Sequence, residues 1–301
     1  VVSRYLEWWN IKEPVFVAGE SSRGALLPSR VELVERLAAH ATRGGGVALV
    51  TGVAGMGRTT LMRQLYETLP LENTDCWALT ILGPTHGAEW FLAQLDVFLG
   101  LGAGATDDER LRRLALRLAG GRHLVILLDH AHMLADMSAL EAINVLLDAD
   151  AGSVALVMAG DASLRRVLPA SLAHRLACEI RLEPVPEGEL SAFAQERLSR
   201  AGLGKAFSSA ALEVVVEASL GVPRRFVTLA EGCLVEAAVR RARTIDEPIA
   251  RGVVEIMAMP VSEDEGKNLE GGEVSEERPL ARRVSDLFAL WERQEKGLPE
   301  E

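Results

Sequence analysis

The run Gly52-Val53-Ala54-Gly55-Met56-Gly57-Arg58-Thr59, with Thr60 behind it, carries the most specific chemistry in the sequence. Glycines at 52, 55 and 57 let backbone N–H groups turn inward around a phosphate. A hydroxyl follows at Thr59, where a phosphate-bound Mg²⁺ takes a ligand. The context agrees, because the apolar run Val47–Val50 reads as a strand and Thr59–Leu65 as the start of a helix, whose N-terminus favours anions. The spacing is that of a Walker A phosphate loop at every position but one. Arg58 stands where a lysine is expected, and it replaces a compact ammonium by a wide, planar, five-donor fork. Gly52, Gly55, Gly57, Arg58, Thr59 and Thr60 are the candidate phosphate-binding residues.

A second constellation ends the apolar run Leu124–Leu128, a pattern expected of a buried parallel strand. Asp129 closes it in the manner of a Walker B aspartate, which holds Mg²⁺. Thr59 and Asp129 are therefore the candidate metal ligands. Hydrolysing members of the class carry a glutamate next, to orient and activate water, and here the residue is His130. An imidazole can act as a base near neutral pH, but it is shorter and lacks two acceptor oxygens. His130 and His132 together raise the question of zinc, which is not expected without a third ligand at helical spacing.

The elements that must position these residues alternate. Strands are expected at Val47–Val50, Cys76–Leu82, Leu124–Leu128, Val154–Ala159 and Cys178–Leu182, with helices between them at Ser29–Ala41 (capped by Ser29), Ala88–Leu101 and Asp107–Leu118. Such alternation predicts an α/β three-layer domain built on a parallel sheet. From Pro186 the periodicity is helical throughout, over Glu187–Ala201, Ser208–Ser219, Arg224–Arg241 and Ala250–Ile256, which predicts a small helical lid domain. The resulting division is 1–28, an aromatic lead-in; 29–185, the P-loop α/β domain; 186–259, the helical lid; 260–279, an acidic linker; and 280–301, an amphipathic helix. In the last segment Leu280, Val284, Leu287, Phe288 and Trp291 share one helical face, which is expected either to fold back on the chain's own α/β domain or to dock on a protein partner. Tyr5, Trp8, Trp9 and Phe16 in the lead-in are expected to pack it onto the rest of the chain.

With 301 residues and a formal net charge of −11, the chain is not adapted as a whole to nucleic acid. Arg224-Arg225 and Arg240-Arg241-Ala242-Arg243 are the local candidates for DNA contact. Cys76, Cys178 and Cys233 lie far apart with no C-x-x-C pair, as buried thiols of a reducing compartment do. No apolar run approaches the length of a membrane span and no leader pattern opens the sequence. A cytoplasmic location, extending to the inner face of the membrane, is the expectation.

The chain resembles the AAA+ ATPases of the ExeA type, from the general secretion pathway, and their relatives the TniB/TnsC transposition ATPases. The resemblance runs from Tyr5 to about Ile256 and rests on the lead-in, the P-loop and Asp129-His130-Ala131-His132. It also rests on Gly160-Asp161-Ala162-Ser163-Leu164-Arg165, Leu172-Ala173-His174-Arg175-Leu176 and Gly221-Val222-Pro223-Arg224-Arg225. It implies ATP or ADP with Mg²⁺ as cofactors, and a homo-oligomer or a hetero-oligomer with related AAA+ or envelope proteins. It implies that Arg224 reaches the γ-phosphate as sensor 2 and that Arg175 acts as a finger toward a neighbouring subunit's nucleotide. Asp161 falls in the sensor 1 neighbourhood, where the family more often has glutamine. Asp129, His130, Arg175 and Arg224 are thus the candidate catalytic residues, and Asp161 joins the nucleotide contacts.

Three functional readings follow. Arg58 and His130 together weaken phosphate stabilisation and water activation, so the first is a degenerate AAA+ nucleotide-binding protein with little or no hydrolysis, a pseudo-ATPase serving as scaffold or regulatory subunit in a bacterial envelope, secretion or motility assembly. The second is an active ExeA-type ATPase that drives envelope complex assembly. The third is a TnsC/TniB-like ATP-dependent regulator of DNA transposition, which the acidic balance disfavours.

Overall fold

A computed structural model describes residues 2–16, 27–70, 72–81, 88–102, 104–134, 138–149 and 152–258. The expected acidic linker and the amphipathic segment 280–301 lie outside these residues. The chain divides into two compact units. One lies within Arg23–Glu183, and the other joins the start of the chain to residues from Pro184 onward.

The first unit is built on a parallel five-stranded sheet of β1 (Val47–Thr51), β2 (Thr74–Thr80), β3 (His123–Asp129), β4 (Val154–Gly160) and β5 (Leu176–Arg181), in the order β2-β3-β4-β1-β5. Its central strands are buried on both faces, which is why they read as unbroken apolar runs. Alternate residues serve opposite faces. Leu124, Ile126 and Leu128 with Val154, Leu156 and Met158 form one side of the core, together with Phe91, Leu95, Leu114, Ile143 and Leu147. These last come from α4 (Ala88–Leu99), α5 (Asp107–Leu118) and α6 (Ser138–Ala149). On the other side α2 (Pro28–Arg43) and α3 (Arg58–Thr68) pack on each other and on the sheet. The short helices α7 (Leu164–Val167) and α8 (Ala170–Ala173) lead into β5.

Local boundaries differ from the sequence reading in several places; β5, for example, starts two residues earlier than expected and the helix Glu247–Ala258 three. β2 runs two residues earlier than expected, because its register with β3 pairs Thr74 with His123 and Thr80 with Asp129, carrying the strand past its apolar stretch. α2 begins at Pro28 with Leu27 at its N-cap, so Ser29 does not cap it. Proline suits that first position, since its fixed φ is already helical and its missing N–H would have had no intrahelical partner. Helix α6 had no counterpart among the expected elements. The capping box that starts α5 is a direct product of sequence: Thr106 accepts from the Glu109 N–H, and the Glu109 carboxylate accepts from the Thr106 N–H.

The second unit contains α1 (Val2–Trp9), α9 (Glu187–Arg200), α10 (Ser209–Ser219), α11 (Pro223–Val239) and α12 (Glu247–Ala258). Helix α11 is its centre, burying Phe226, Leu229, Ala230, Cys233, Leu234 and Ala237. The aromatic lead-in packs here. Tyr5 and Trp9 fall at i and i+4, so both face α11. The Trp9 indole N–H donates to the Leu234 carbonyl at 2.8 Å, and Phe16 meets Phe226 edge-on. The Tyr5 hydroxyl donates to Glu231 Oε1 at 2.5 Å, and the Phe16 N–H donates to Glu231 Oε2 at 2.9 Å. None of the helices among the described residues is long and apolar enough to cross a membrane.

Candidate phosphate-binding site

The site lies at the C-terminal edge of the parallel sheet, where β1, β4 and β3 end side by side. The loop leaves β1 after Thr51 and re-enters regular structure at Arg58. Met56 is buried beneath it and anchors it to the core. Gly57 caps α3 with φ 89°, a left-handed conformation, and a Cβ added there would meet nothing within 4 Å. The glycine is required by backbone conformation, and the space before it is open. The first N–H groups of α3 have no intrahelical partners, which makes this end of the helix receptive to an anion.

Arg58 does not extend away from the loop. Its guanidinium is buried and donates from Nη1 to the Gly52 carbonyl at 3.0 Å, so the side chain turns back across its own loop. Thr59 and Thr60 are exposed on the first turn of α3.

Asp129 is buried at the end of β3. Burial by itself would raise its pKa, yet the carboxyl is held below the ordinary carboxylate value by the His130 imidazole, the Thr59 hydroxyl and the His130 N–H. That N–H donates to Oδ1 at 2.8 Å, and His130 Nδ1 lies 3.4 Å from the same oxygen. Oδ2 is buried and finds no hydrogen-bond partner among the described residues. A buried acceptor left open is uncommon in folded proteins, and beside the glycine loop this one is available to a ligand. The Thr59 hydroxyl and Asp129 thus converge across the mouth of the loop, and both are oxygen donors suited to Mg²⁺. The residues fit a nucleotide with its metal.

His130 has φ 56° and opens the 3₁₀ turn Ala131–Met133. A left-handed conformation is uncommon outside glycine, and the turn it starts carries His132 toward β4. Gly160 makes that approach possible, since a Cβ there would come within 3.2 Å of His132 Nδ1. The rings of His130 and His132 lie 6.0 Å apart. His132 Nε2 is 3.8 Å from Asp161 Oδ2. Burial pushes the His132 pKa down against the pull of Asp161, with Arg58 and His130 adding to the fall.

Asp161 follows directly on β4. Its Oδ1 accepts the Ser163 N–H at 2.8 Å and the Ser163 hydroxyl, an Asx turn that opens α7. Although burial opposes it, Ser163, His132 and Arg58 keep the Asp161 carboxyl below its ordinary value.

The structure therefore brings together Gly52, Gly55, Gly57, Arg58, Thr59, Asp129, His130 and Asp161 at one edge of the sheet. Arg175 stands elsewhere. Its carbonyl accepts the Val47 N–H at the start of β1, the opposite end of the strands from the loop, and its guanidinium pairs with Asp148 at the end of α6. Arg224 opens α11 in the helical unit. Sequence reasoning left out His132 and Ser163 as the partners of Asp161. The Asp-x-Ser spacing before a helix was the available signal for Ser163, whereas nothing in the sequence signals the Gly52 carbonyl as the acceptor for Arg58.

A parallel sheet in this order, a glycine loop into a helix N-terminus, and a strand-end aspartate beside it make an α/β fold of the P-loop type. Residues 41–168 match the family described as AAA domain. The chain is 28% identical over 280 residues to General secretion pathway protein A of Aeromonas hydrophila; the match takes in 87% of this chain and 50% of that protein, so the chain spans half the length of this relative. Among solved structures it is similar to Cdc6p from Pyrobaculum aerophilum, with a TM-score of 0.64 at 17% identity over 95% of this chain and 85% of that one. It is also similar to the Aeropyrum pernix ORC2 protein in its ADPNP–ADP complexes, with a TM-score of 0.60 at 16% identity over 85% and 74% of the two chains. A third likeness is to a mutant of Thermotoga maritima RuvB, with a TM-score of 0.55 at 19% identity over 89% and 83%. At these identities the solved structures establish the fold.

Proposed function

We propose that this chain is an AAA+ nucleotide-binding protein with little or no turnover, working as a scaffold or regulatory subunit of a bacterial envelope, secretion or motility assembly. The observation that carries it is the unequal state of the site. Thr59 and the open Oδ2 of Asp129 remain available for Mg²⁺, while the Arg58 guanidinium turns back and gives an N–H to the Gly52 carbonyl of its own loop. Thr59 and Asp129 would hold the metal, and the loop N–H groups with Thr60 would hold phosphate oxygens. The metal supplies charge neutralisation to the phosphates. His130 holds the Asp129 carboxylate through its backbone N–H and its ring, so its imidazole serves that carboxylate in place of an attacking water.

Removing one electrostatic stabiliser of a transition state typically costs about 10²–10³ in rate. Two such losses take a turnover on the order of 10 s⁻¹ to on the order of 10⁻³ s⁻¹ or below. Nucleotide extracted from the purified protein and identified by chromatography tests occupancy, and phosphate release under multiple turnover tests hydrolysis. The double change Arg58→Lys with His130→Glu is expected to raise phosphate release at least about 100-fold. A wild-type rate near 1 s⁻¹ that Asp129→Ala abolishes would replace this reading by that of an active ExeA-type ATPase, which the retained Thr59–Asp129 pair favours as the second choice.

The sequence likeness to General secretion pathway protein A supports the envelope setting. Arg175 is proposed to act on a neighbouring copy's nucleotide, because it lies at the far end of the strands from its own loop. Arg224 is proposed as the sensor of the terminal phosphate, and segment 280–301 as the docking element for a protein partner.

A further inference from the structure

The topology of the sheet decides what a third phosphate would meet. Phosphates held by the loop would lie at the end of β1, and a metal held by Thr59 and Asp129 would lie toward the end of β3. Strand β4 lies between these two. A phosphate chain that runs from the loop to the metal must cross the end of β4, and the residue standing there is Asp161. One of its oxygens is committed to Ser163 and the other lies 3.8 Å from His132, with the side chain 46% exposed. Arg58, whose charge reaches Asp161, turns one N–H to the Gly52 carbonyl. The Asp129 side chain, only 8% exposed with Oδ2 unpartnered, is the independent sign that a ligand belongs at this mouth.

We infer that the site is selective for a nucleoside diphosphate over the corresponding triphosphate, because Asp161 sets a carboxylate where the third phosphate of the chain must pass. This rests on the nucleotide-binding reading above. A diphosphate is one phosphate shorter and brings less negative charge to Asp161. A triphosphate adds a further negative charge within a few ångströms of a fixed one, and like charges brought together in a partly enclosed site repel.

Calorimetric titration of the full chain in Mg²⁺ with ADP, and separately with the β,γ-imido analogue of ATP, tests it without any dependence on turnover. ADP is expected to bind at least about tenfold more tightly than the triphosphate analogue. Asp161→Asn keeps an oxygen for Ser163 and removes the charge, so it should narrow the ratio to below about threefold, chiefly by strengthening triphosphate binding. Thermal melts of the variant report whether its loop has folded, and the wild-type ratio stands without it. ADP binding with an equal or tighter triphosphate affinity overturns this inference and leaves nucleotide binding intact. An unchanged ratio in a folded Asp161→Asn variant overturns the assignment to Asp161. Absence of binding by either nucleotide at millimolar concentration overturns both readings.

Discussion

Asp129 at the end of β3 and Glu231 in the middle of α11 are both carboxylates drawn out of water, and their surroundings treat them in opposite ways. Glu231 has both oxygens taken, one by the Tyr5 hydroxyl and one by the Phe16 N–H, with the Val15 N–H also directed at the carboxyl. Burial still dominates and lifts its pKa above the ordinary glutamate value. Asp129 is held below the ordinary aspartate value and keeps one oxygen open. The contrast separates two uses of a buried charge. A carboxylate whose acceptors are filled by the chain is a clamp, and here it fastens the aromatic lead-in to α11. One left partly unfilled is a place for a ligand.

The largest effect that would test this contrast is the loss of the clamp. Glu231→Ala leaves the Tyr5 hydroxyl and two backbone N–H groups without an acceptor, and should cost about 3 kcal/mol. Melting of the helical unit should fall by roughly 12–24 °C. A fall of only a degree or two would show that apolar packing of Tyr5, Trp9 and Phe16 suffices. Asp129→Ala should act mainly on the ligand. It weakens Mg²⁺-dependent nucleotide binding about tenfold and lowers stability by about 1 kcal/mol, since a lowered folded pKa makes the charged carboxylate a net contributor at neutral pH. A destabilisation as large as that of Glu231→Ala would make Asp129 a second clamp.

Acidification should separate the two by sign. For Glu231, whose folded pKa is raised above 4.5, the folded state takes up its proton first, so stability relative to the unfolded chain falls as pH rises through the raised value. For Asp129, whose folded pKa is lowered from 3.8, the contribution is present above that value and is lost as pH falls. As pH falls from neutral toward 4.5 the melting temperature of the wild type should therefore gain on that of Glu231→Gln, which has no proton to bind. The smallest effect expected is that of Glu231→Gln at pH 7. Its amide oxygen accepts the backbone N–H groups and its NH₂ donates to the Tyr5 oxygen, so the loss should stay below about 1 kcal/mol. A loss as large as that of the alanine variant would show that the negative charge itself matters.

The same pair shows what a sequence can and cannot reveal. Asp129 was legible because it closes a strand buried on both faces, and such strands leave an unbroken apolar run behind them. The P-loop was legible because backbone geometry demands glycine at fixed spacing. Glu231 was not, since a glutamate inside an amphipathic helix looks like any solvated one until its partner, 226 residues away in sequence, is known. Arg58 was legible in identity and charge, and hidden in direction. Whether a guanidinium reaches outward or folds back on Gly52 depends on competing hydrogen bonds that no spacing records. Helix α6 lies beneath the same limit: its apolar residues are inserted into a core whose other half comes from α4 and the sheet.

The separation of Arg175 from the loop has a consequence for symmetry. Five residues of β1 divide them, about 16 Å at the rise of a strand, and every strand in the sheet points the same way, so the domain has a head and a tail. An Arg175 that meets the loop of another copy joins tail to head. Such contacts close reciprocally when two copies lie antiparallel about a two-fold axis; between copies stacked in one direction they repeat until the rotation closes a ring, or fails to close and continues as a helix. The choice between disc and filament would then be set by a single angle, and the Asp148 that now holds Arg175 is the residue a neighbour would have to displace first.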